Sequence, residues 1–257
     1  MKIAIITGAS SGMGMEFARQ IDKKCLGLDE IWLIARRREP MEELAGKLAT
    51  ATRIFSADLT DAESCSPFFE ELARINPQVR LLINCAGYGK VGAFSVCPEK
   101  DALGMIDLNC KALTKMTYQI LPYMPARSYL IQLASSAAFL PQPGFGIYAA
   151  SKSFVLSFTM ALRQELKHRK ISVTAVCPGP VDTPFFSIAE ETGEAFLFKK
   201  IFMVPKEKVV QRALHDTFRG KDMSVYGLPM KIMHVGCKIL PQKLILDLYE
   251  AIVKIHS

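Results

Sequence analysis

Residues 2–14 read KIAIITGASSGMG: a β-branched apolar run, then a threonine and glycines at 8, 12 and 14 separated by small residues. The run predicts a strand, and the pattern after it predicts a helix through EFARQI. Glycines so placed let the backbone turn tightly and approach a pyrophosphate, whose charge is favoured at a helix N-terminus. A strand, a glycine-rich turn (Gly8, Ser10, Ser11, Gly12, Met13, Gly14) and a helix at the head of a chain therefore predict a dinucleotide-binding unit. The same glycines would also serve close packing alone, so the rest of the chain decides.

Working outward, apolar runs keep alternating with helical patterns: EIWLIA, then PMEELAGKL; RIFSADL, then a helix ending near ARINP; VRLLINCAG, then a long helix through LNCKALTKMTYQIL; SYLIQLASS, then a helix from Tyr148 to about His168; and ISVTAVCPG. Continuous apolar strands between helices predict a parallel sheet covered on both faces. The expected fold is α/β, a single-domain Rossmann-type doubly wound parallel sheet of about seven strands, spanning residues 1–257. After Pro184 the rhythm breaks. Residues 184–204 carry Phe185, Phe186, Phe196, Phe198 and Phe202 without a clear strand, and a helix resumes with Pro205 in its first turn. A short strand is expected near Ser224–Tyr226, and residues 184–257 read as a substrate lid followed by C-terminal helices.

With 257 residues, half of them hydrophobic, the chain can bury a substantial core. Its net charge of +7 is concentrated late: residues 199–257 hold eleven Lys/Arg against five Asp/Glu. Seven scattered cysteines show no metal-like spacing and read as reduced thiols, which predicts a cytoplasmic protein. The first strand is too short for a signal peptide, and the dispersed histidines predict no metal site. Basic residues are not interleaved with aromatics, so no nucleic-acid partner is expected.

Where the second strand ends, a protein selective for NAD would place an acid; this chain has Ala35-Arg36-Arg37-Arg38. Guanidinium groups suit a 2′-phosphate, so NADP(H) is expected over NAD(H), with Arg36 and then Arg37 as the contacts. Further on, GIYAASKSF (146–154) sets Tyr148 one helical turn before Lys152, on one face. An ammonium beside a phenol would stabilise the phenolate and lower its pKa.

In order along about 180 residues, TGxxxGxG at Thr7–Gly14, Asp58-Leu59, NxAG at Asn84–Gly87, Asn109, a serine after the fifth strand, YxxxK at Tyr148–Lys152 and PGxVxT at Pro178–Thr183 are present. In these motifs the chain resembles the short-chain dehydrogenase/reductase family in its compact form. The resemblance implies a carbonyl/alcohol oxidoreductase using a nicotinamide dinucleotide. Tyr148 would exchange the proton, Lys152 would assist it and hold the nicotinamide ribose, and Asn109 would hold a relay water. The serine is Ser135, thirteen positions before Tyr148, or Ser136; the spacing favours Ser135. Ser10 and Arg36 would meet the adenosine phosphate, Asp58 and Leu59 the adenine, Asn84, Ala86 and Gly87 the ribose region, and Pro178, Val181 and Thr183 the carboxamide end. Asp58 also reads as a helix-preceding cap.

Phe185, Phe186, Met203 and the segment Phe139–Phe145 predict an apolar pocket for a lipophilic carbonyl, such as a hydroxysteroid or long-chain oxoacyl compound. A reductase of small polar carbonyls and a non-catalytic NADP(H)-sensing protein are the alternatives. The lysine-studded apolar stretch KIMHVGCKILPQKLILDLYEAIVKIHS could contact a membrane surface. The family resemblance further implies a homodimer or homotetramer.

Overall fold

The computed structural model describes residues 1–24, 26–190 and 202–247. Six strands alternate with helices through residue 176: β1 (Lys2–Thr7), α1 (Gly12–Asp22), β2 (Glu30–Ala35), α2 (Glu39–Ala45), β3 (Ala51–Ser56), α3 (Ala62–Ile75), β4 (Gln78–Asn84), α4 (Glu99–Ile106), α5 (Leu113–Ile120), β5 (Tyr129–Leu133), α6 (Gly146–Glu165) and β6 (Ser172–Val176). Then come β7 (Val181–Asp182), α7 (Phe185–Ala189), β8 (Val204–Pro205), α8 (Lys206–Phe218), β9 (Met223–Ser224) and α9 (Leu228–Ile239). Phe196 and Phe198, expected in the lid, lie outside the described residues.

Seven strands form one sheet in the order β3-β2-β1-β4-β5-β6-β9, every neighbouring pair parallel. Successive side chains on a strand point to opposite faces, so a strand covered on both sides is apolar throughout. β1 shows this directly. Ile3 and Ile5 join a core with Trp32, Phe68 and Met116, which brings α3 and α5 onto that face. Ala4 and Ile6 join a second core with Phe17, Leu33 and Val210, which brings α1 and α8 onto the other. The doubly wound α/β architecture follows from that two-sided burial.

Strand order reverses between β1 and β4, the position at which such sheets open a crevice at the strand C-termini. Thr7 holds that point together: its Oγ1 accepts N–H bonds from Cys85 at 3.0 Å and Ala86 at 3.1 Å.

Three local readings change. Segment 184–204, read without a strand, contributes Val204 to β8, which pairs in parallel with β7. Pro205 stands just before α8, not inside its first turn, because its extended ψ of 134° belongs to that bridge. The long helix expected after β4 is divided, with residues Asp107–Ala112 between α4 and α5 wound as a π-helix.

Candidate active site

Gly8 adopts φ +69°, a left-handed conformation, and a Cβ there would lie 2.9 Å from the backbone of Ala86. At Gly14 a Cβ would collide with the Gly8 carbonyl. The turn can thus fold tightly against the end of β4 only with glycine at both positions. Ser11 precedes α1 in extended conformation without a side-chain capping bond, and the first turn of α1 contains no acid. Its leading amides are therefore available to an anion.

Three arginines follow β2 and diverge. Arg37 Nη2 donates to Ser10 Oγ at 3.3 Å, reaching over the glycine turn. Arg36 Nη1 lies 3.9 Å from Asp58 Oδ2 with its side chain 74% exposed, and Arg38 turns away to Glu42 at 2.7 Å. A glycine turn, uncapped helix amides and nearby guanidinium groups fit a dinucleotide.

At the other end of the crevice, the residues lining a cavity include Met13, Gly87, Ser135, Tyr148, Lys152 and Phe186, together with Pro178, Val181 and Thr183. Tyr148 and Lys152 project from successive turns of α6 and are both buried. The ring of Tyr148 stacks on Phe145 with centroids 4.3 Å apart and meets Phe185 at 5.4 Å. Ser135 Oγ accepts the N–H of Ala137 at 3.1 Å and lines the same cavity as Tyr148. Ser136 also lines the cavity, and its backbone N–H donates to the Pro178 carbonyl at 2.8 Å.

The expected lowering of the phenol pKa by its lysine is not what the site displays. Burial pushes Tyr148 up to about 12, opposed by Ser135, and pulls Lys152 down to about 8. The ammonium donates to the Leu133 carbonyl at 2.8 Å and sits 5.6 Å from the centre of the tyrosine ring. Loss of water is the largest cause of both shifts.

Other expected contacts are redistributed. Asn109 lies in the π-helical turn, where its Oδ1 accepts the Tyr88 N–H at 3.1 Å and its Nδ2 donates to the Tyr88 carbonyl and Ser151 Oγ. Both amide hydrogens and one Oδ1 lone pair are thus engaged, which leaves one Oδ1 lone pair as an acceptor. A Cβ on Gly87 would lie 2.8 Å from Asn109 Oδ1 and 3.3 Å from Lys152 Nζ, so this glycine keeps the space beside both groups open. Asn84 Nδ2 donates to Thr117 and Gln132 inside the core, and Leu59 packs with Phe68 and Leu72; the side chains of both are turned from the crevice. Asp58 Oδ1 accepts from the amide and hydroxyl of Thr60, whereas the cap of α3 is Asp61. Sequence reasoning missed Gly89, where a Cβ would lie 2.7 Å from the Tyr148 ring, and Gln142, a buried amide in the cavity wall. GYGK at 87–90 was the signal for Gly89; Gln142 had none.

Comparison with known proteins agrees with this geometry. The chain is 35% identical over 196 residues to sulfoacetaldehyde reductase 2 of Chromohalobacter salexigens, covering 71% of this chain and 74% of that protein. It is 28% identical over 255 residues to the very-long-chain 3-oxoacyl-CoA reductase of Anas platyrhynchos, covering 95% and 78%. A short-chain dehydrogenase from Sphingobium yanoikuyae, solved with NADPH, superposes with a TM-score of 0.77 at 25% identity over 96% of each chain. The sequence profile of short chain dehydrogenases matches residues 2–193, so this chain belongs to the short-chain dehydrogenase/reductase family of oxidoreductases.

Proposed function

We propose that this protein is an NADP(H)-dependent reductase that converts a lipophilic ketone to a secondary alcohol and can run in reverse. The observation that carries the reading is the convergence of Tyr148, Ser135 and Lys152 on one cavity at the end of the glycine-turn crevice. Bound reduced nicotinamide supplies a hydride to the carbonyl carbon. Ser135 holds the carbonyl oxygen and stabilises its developing charge, and Tyr148 gives that oxygen a proton. The incipient alkoxide is far more basic than a phenolate, so a phenol held at about 12 still donates downhill. In the reverse direction Tyr148 acts as the phenolate and takes the alcohol proton. Lys152, at about 8, stays mostly protonated at neutral pH and offers its charge to the phenolate left behind.

NADP(H) preference is supported by Arg36 beside Asp58 and by Arg37 over Ser10. A lipophilic substrate is supported by the aromatic wall of Phe145, Phe185 and Phe186 and by similarity to an oxoacyl-CoA reductase along 95% of the chain.

The test is to mix the protein with NADPH or NADH and a panel of oxosteroids, oxoacyl thioesters, small aldehydes and sugars, following nicotinamide absorbance. Turnover of oxosteroids or oxoacyl thioesters with NADPH is expected. Turnover confined to small polar aldehydes would replace the lipophilic assignment with the alternative suggested by the sulfoacetaldehyde reductase. Arg36→Asp should move the NADPH-over-NADH preference about ten- to a hundredfold towards NADH. Unchanged selectivity would remove Arg36 from the phosphate site.

A further inference from the structure

Helix α9 is apolar on two faces, and only one of them is packed. On its inner face Met230 lies against Gly179, where a Cβ would approach its sulfur to 2.6 Å, and His234 meets Phe139 with ring centres 4.5 Å apart and planes tilted by 38°. On its outer face Leu228, Ile232, Val235 and Ile239 are 69%, 63%, 53% and 74% exposed. Their spacing of four, three and four residues makes one continuous stripe along the helix. Leu240 and Leu244, both exposed, extend it past the helix end. Single exposed apolar residues are ordinary; six in one stretch on a helix already anchored by its opposite side are not.

Charge selects the occupant. Lys231 and Lys238 are exposed and flank the stripe on the same side, and Lys243 follows. No Asp or Glu occurs from 228 to 246. A second copy docked stripe to stripe would bring these like-charged rims together, whereas an anionic bilayer surface would neutralise them while taking up the apolar side chains. Lysine stems are long enough to lie along such an interface with their ammonium groups at headgroup level. At twelve residues α9 cannot cross a bilayer, and no helix among the described residues is long and apolar enough to do so. It can lie in the plane of one.

We propose that α9 is a membrane-surface anchor, seating Leu228, Ile232, Val235 and Ile239 in the headgroup–acyl boundary of anionic lipid with Lys231, Lys238 and Lys243 against the headgroups. Met230 joins this helix to Gly179 in the cavity wall, so docking places the cavity beside the lipid surface. This proposal does not depend on the reaction assigned to the cavity.

Flotation of the full chain with vesicles tests it directly. The protein should rise with phosphatidylcholine–phosphatidylglycerol vesicles, rise much less with phosphatidylcholine alone, and be released by high salt. Ile232→Glu/Ile239→Glu should abolish flotation with the circular dichroism spectrum unchanged. Lys231→Ala/Lys238→Ala changes exposed side chains only, so it tests the proposal even if the first variant misfolds; it should lower partitioning onto anionic vesicles by about thirtyfold. Failure of the parent protein to float on either composition would overturn the proposal, as would unchanged flotation of the lysine variant. A dimer seen by light scattering that Ile232→Glu/Ile239→Glu dissociates, without flotation, would assign the stripe to a second copy instead.

Discussion

Two buried ionic groups in this molecule are treated in opposite ways. Asp216, near the sheet edge, faces Arg212 at 2.8 Å and Lys221 at 2.8 Å, and accepts from Ser224 Oγ at 2.9 Å. Burial pushes its carboxyl up, but Lys221, Ser224 and Arg212 prevail and hold it at about 2. Lys152, in the cavity, has a neutral carbonyl as its hydrogen-bond partner and is drawn down to about 8. Where charge fastens α8 to β9, the carboxylate faces two cations and a hydroxyl supplied by the protein itself. Where chemistry is expected, the match is left incomplete, and an incoming ligand can supply it.

The sharpest way to break this comparison is Tyr148→Phe. The substitution keeps the ring stacked on Phe145 and removes the hydroxyl from the cavity that Ser135 and Lys152 also line. If the cavity is the reaction centre, turnover falls by about 10²- to 10⁴-fold while NADPH affinity, read by titration calorimetry, stays within a few-fold. Full turnover by the variant would move the chemistry elsewhere.

Asp216→Ala should have the next largest effect, and on stability instead of chemistry. It leaves the partly exposed Arg212 and Lys221 without their carboxylate and Ser224 Oγ without its acceptor, costing about 2–3 kcal/mol in urea unfolding, with turnover per folded molecule unchanged. The pH dependence has a definite sign. The folded carboxyl titrates below its usual 3.8, so this stabilisation is fully present above about 3.8 and is lost as pH falls towards about 2. A variant as stable as the parent at pH 7 would show that the matched charge fastens nothing.

The two regions also differ in how far they could be read from the chain. The inner strands β1 and β2 were legible because burial on both faces forces uninterrupted apolar runs, and the glycine turn because a left-handed Gly8 and a Cβ-free Gly14 admit no other residue. Tyr148 and Lys152 were legible because one helical turn sets them on a common face. Their electrostatics were not: spacing reports proximity, whereas burial, which decides both pKa values, is a property of the folded whole. Asn84 illustrates the same limit. Its position in NxAG suggests the crevice, yet its side chain turns inward to Thr117 and Gln132, partners 33 and 48 residues away. The Asp216 cluster went unread because its ligands mix i,i+4 spacing on α8 with Ser224 on a two-residue strand.

Lys152→Met has the smallest expected effect on folding, and its sign separates the two kinds of site. An unfolded lysine keeps its proton to about 10.5, whereas this one releases it near 8 in the folded protein. Between those values the unfolded chain binds more protons, so stability rises with pH; below about 8 the whole cost of burying the charge is present. Replacing the ammonium with an apolar chain of similar length removes that cost, so the nucleotide-free variant should be more stable than the parent by about 1–3 kcal/mol at pH 7. The gain should shrink as pH rises from about 8 towards 10.5, in urea unfolding of both proteins at each pH. Turnover should move the other way, since the parent loses the cation, and with it rate, as pH passes about 8, and the variant lacks the cation throughout. If Lys152→Met proved less stable at pH 7, the bond to the Leu133 carbonyl would outweigh the burial of charge, and Lys152 would be a fastened group like Asp216.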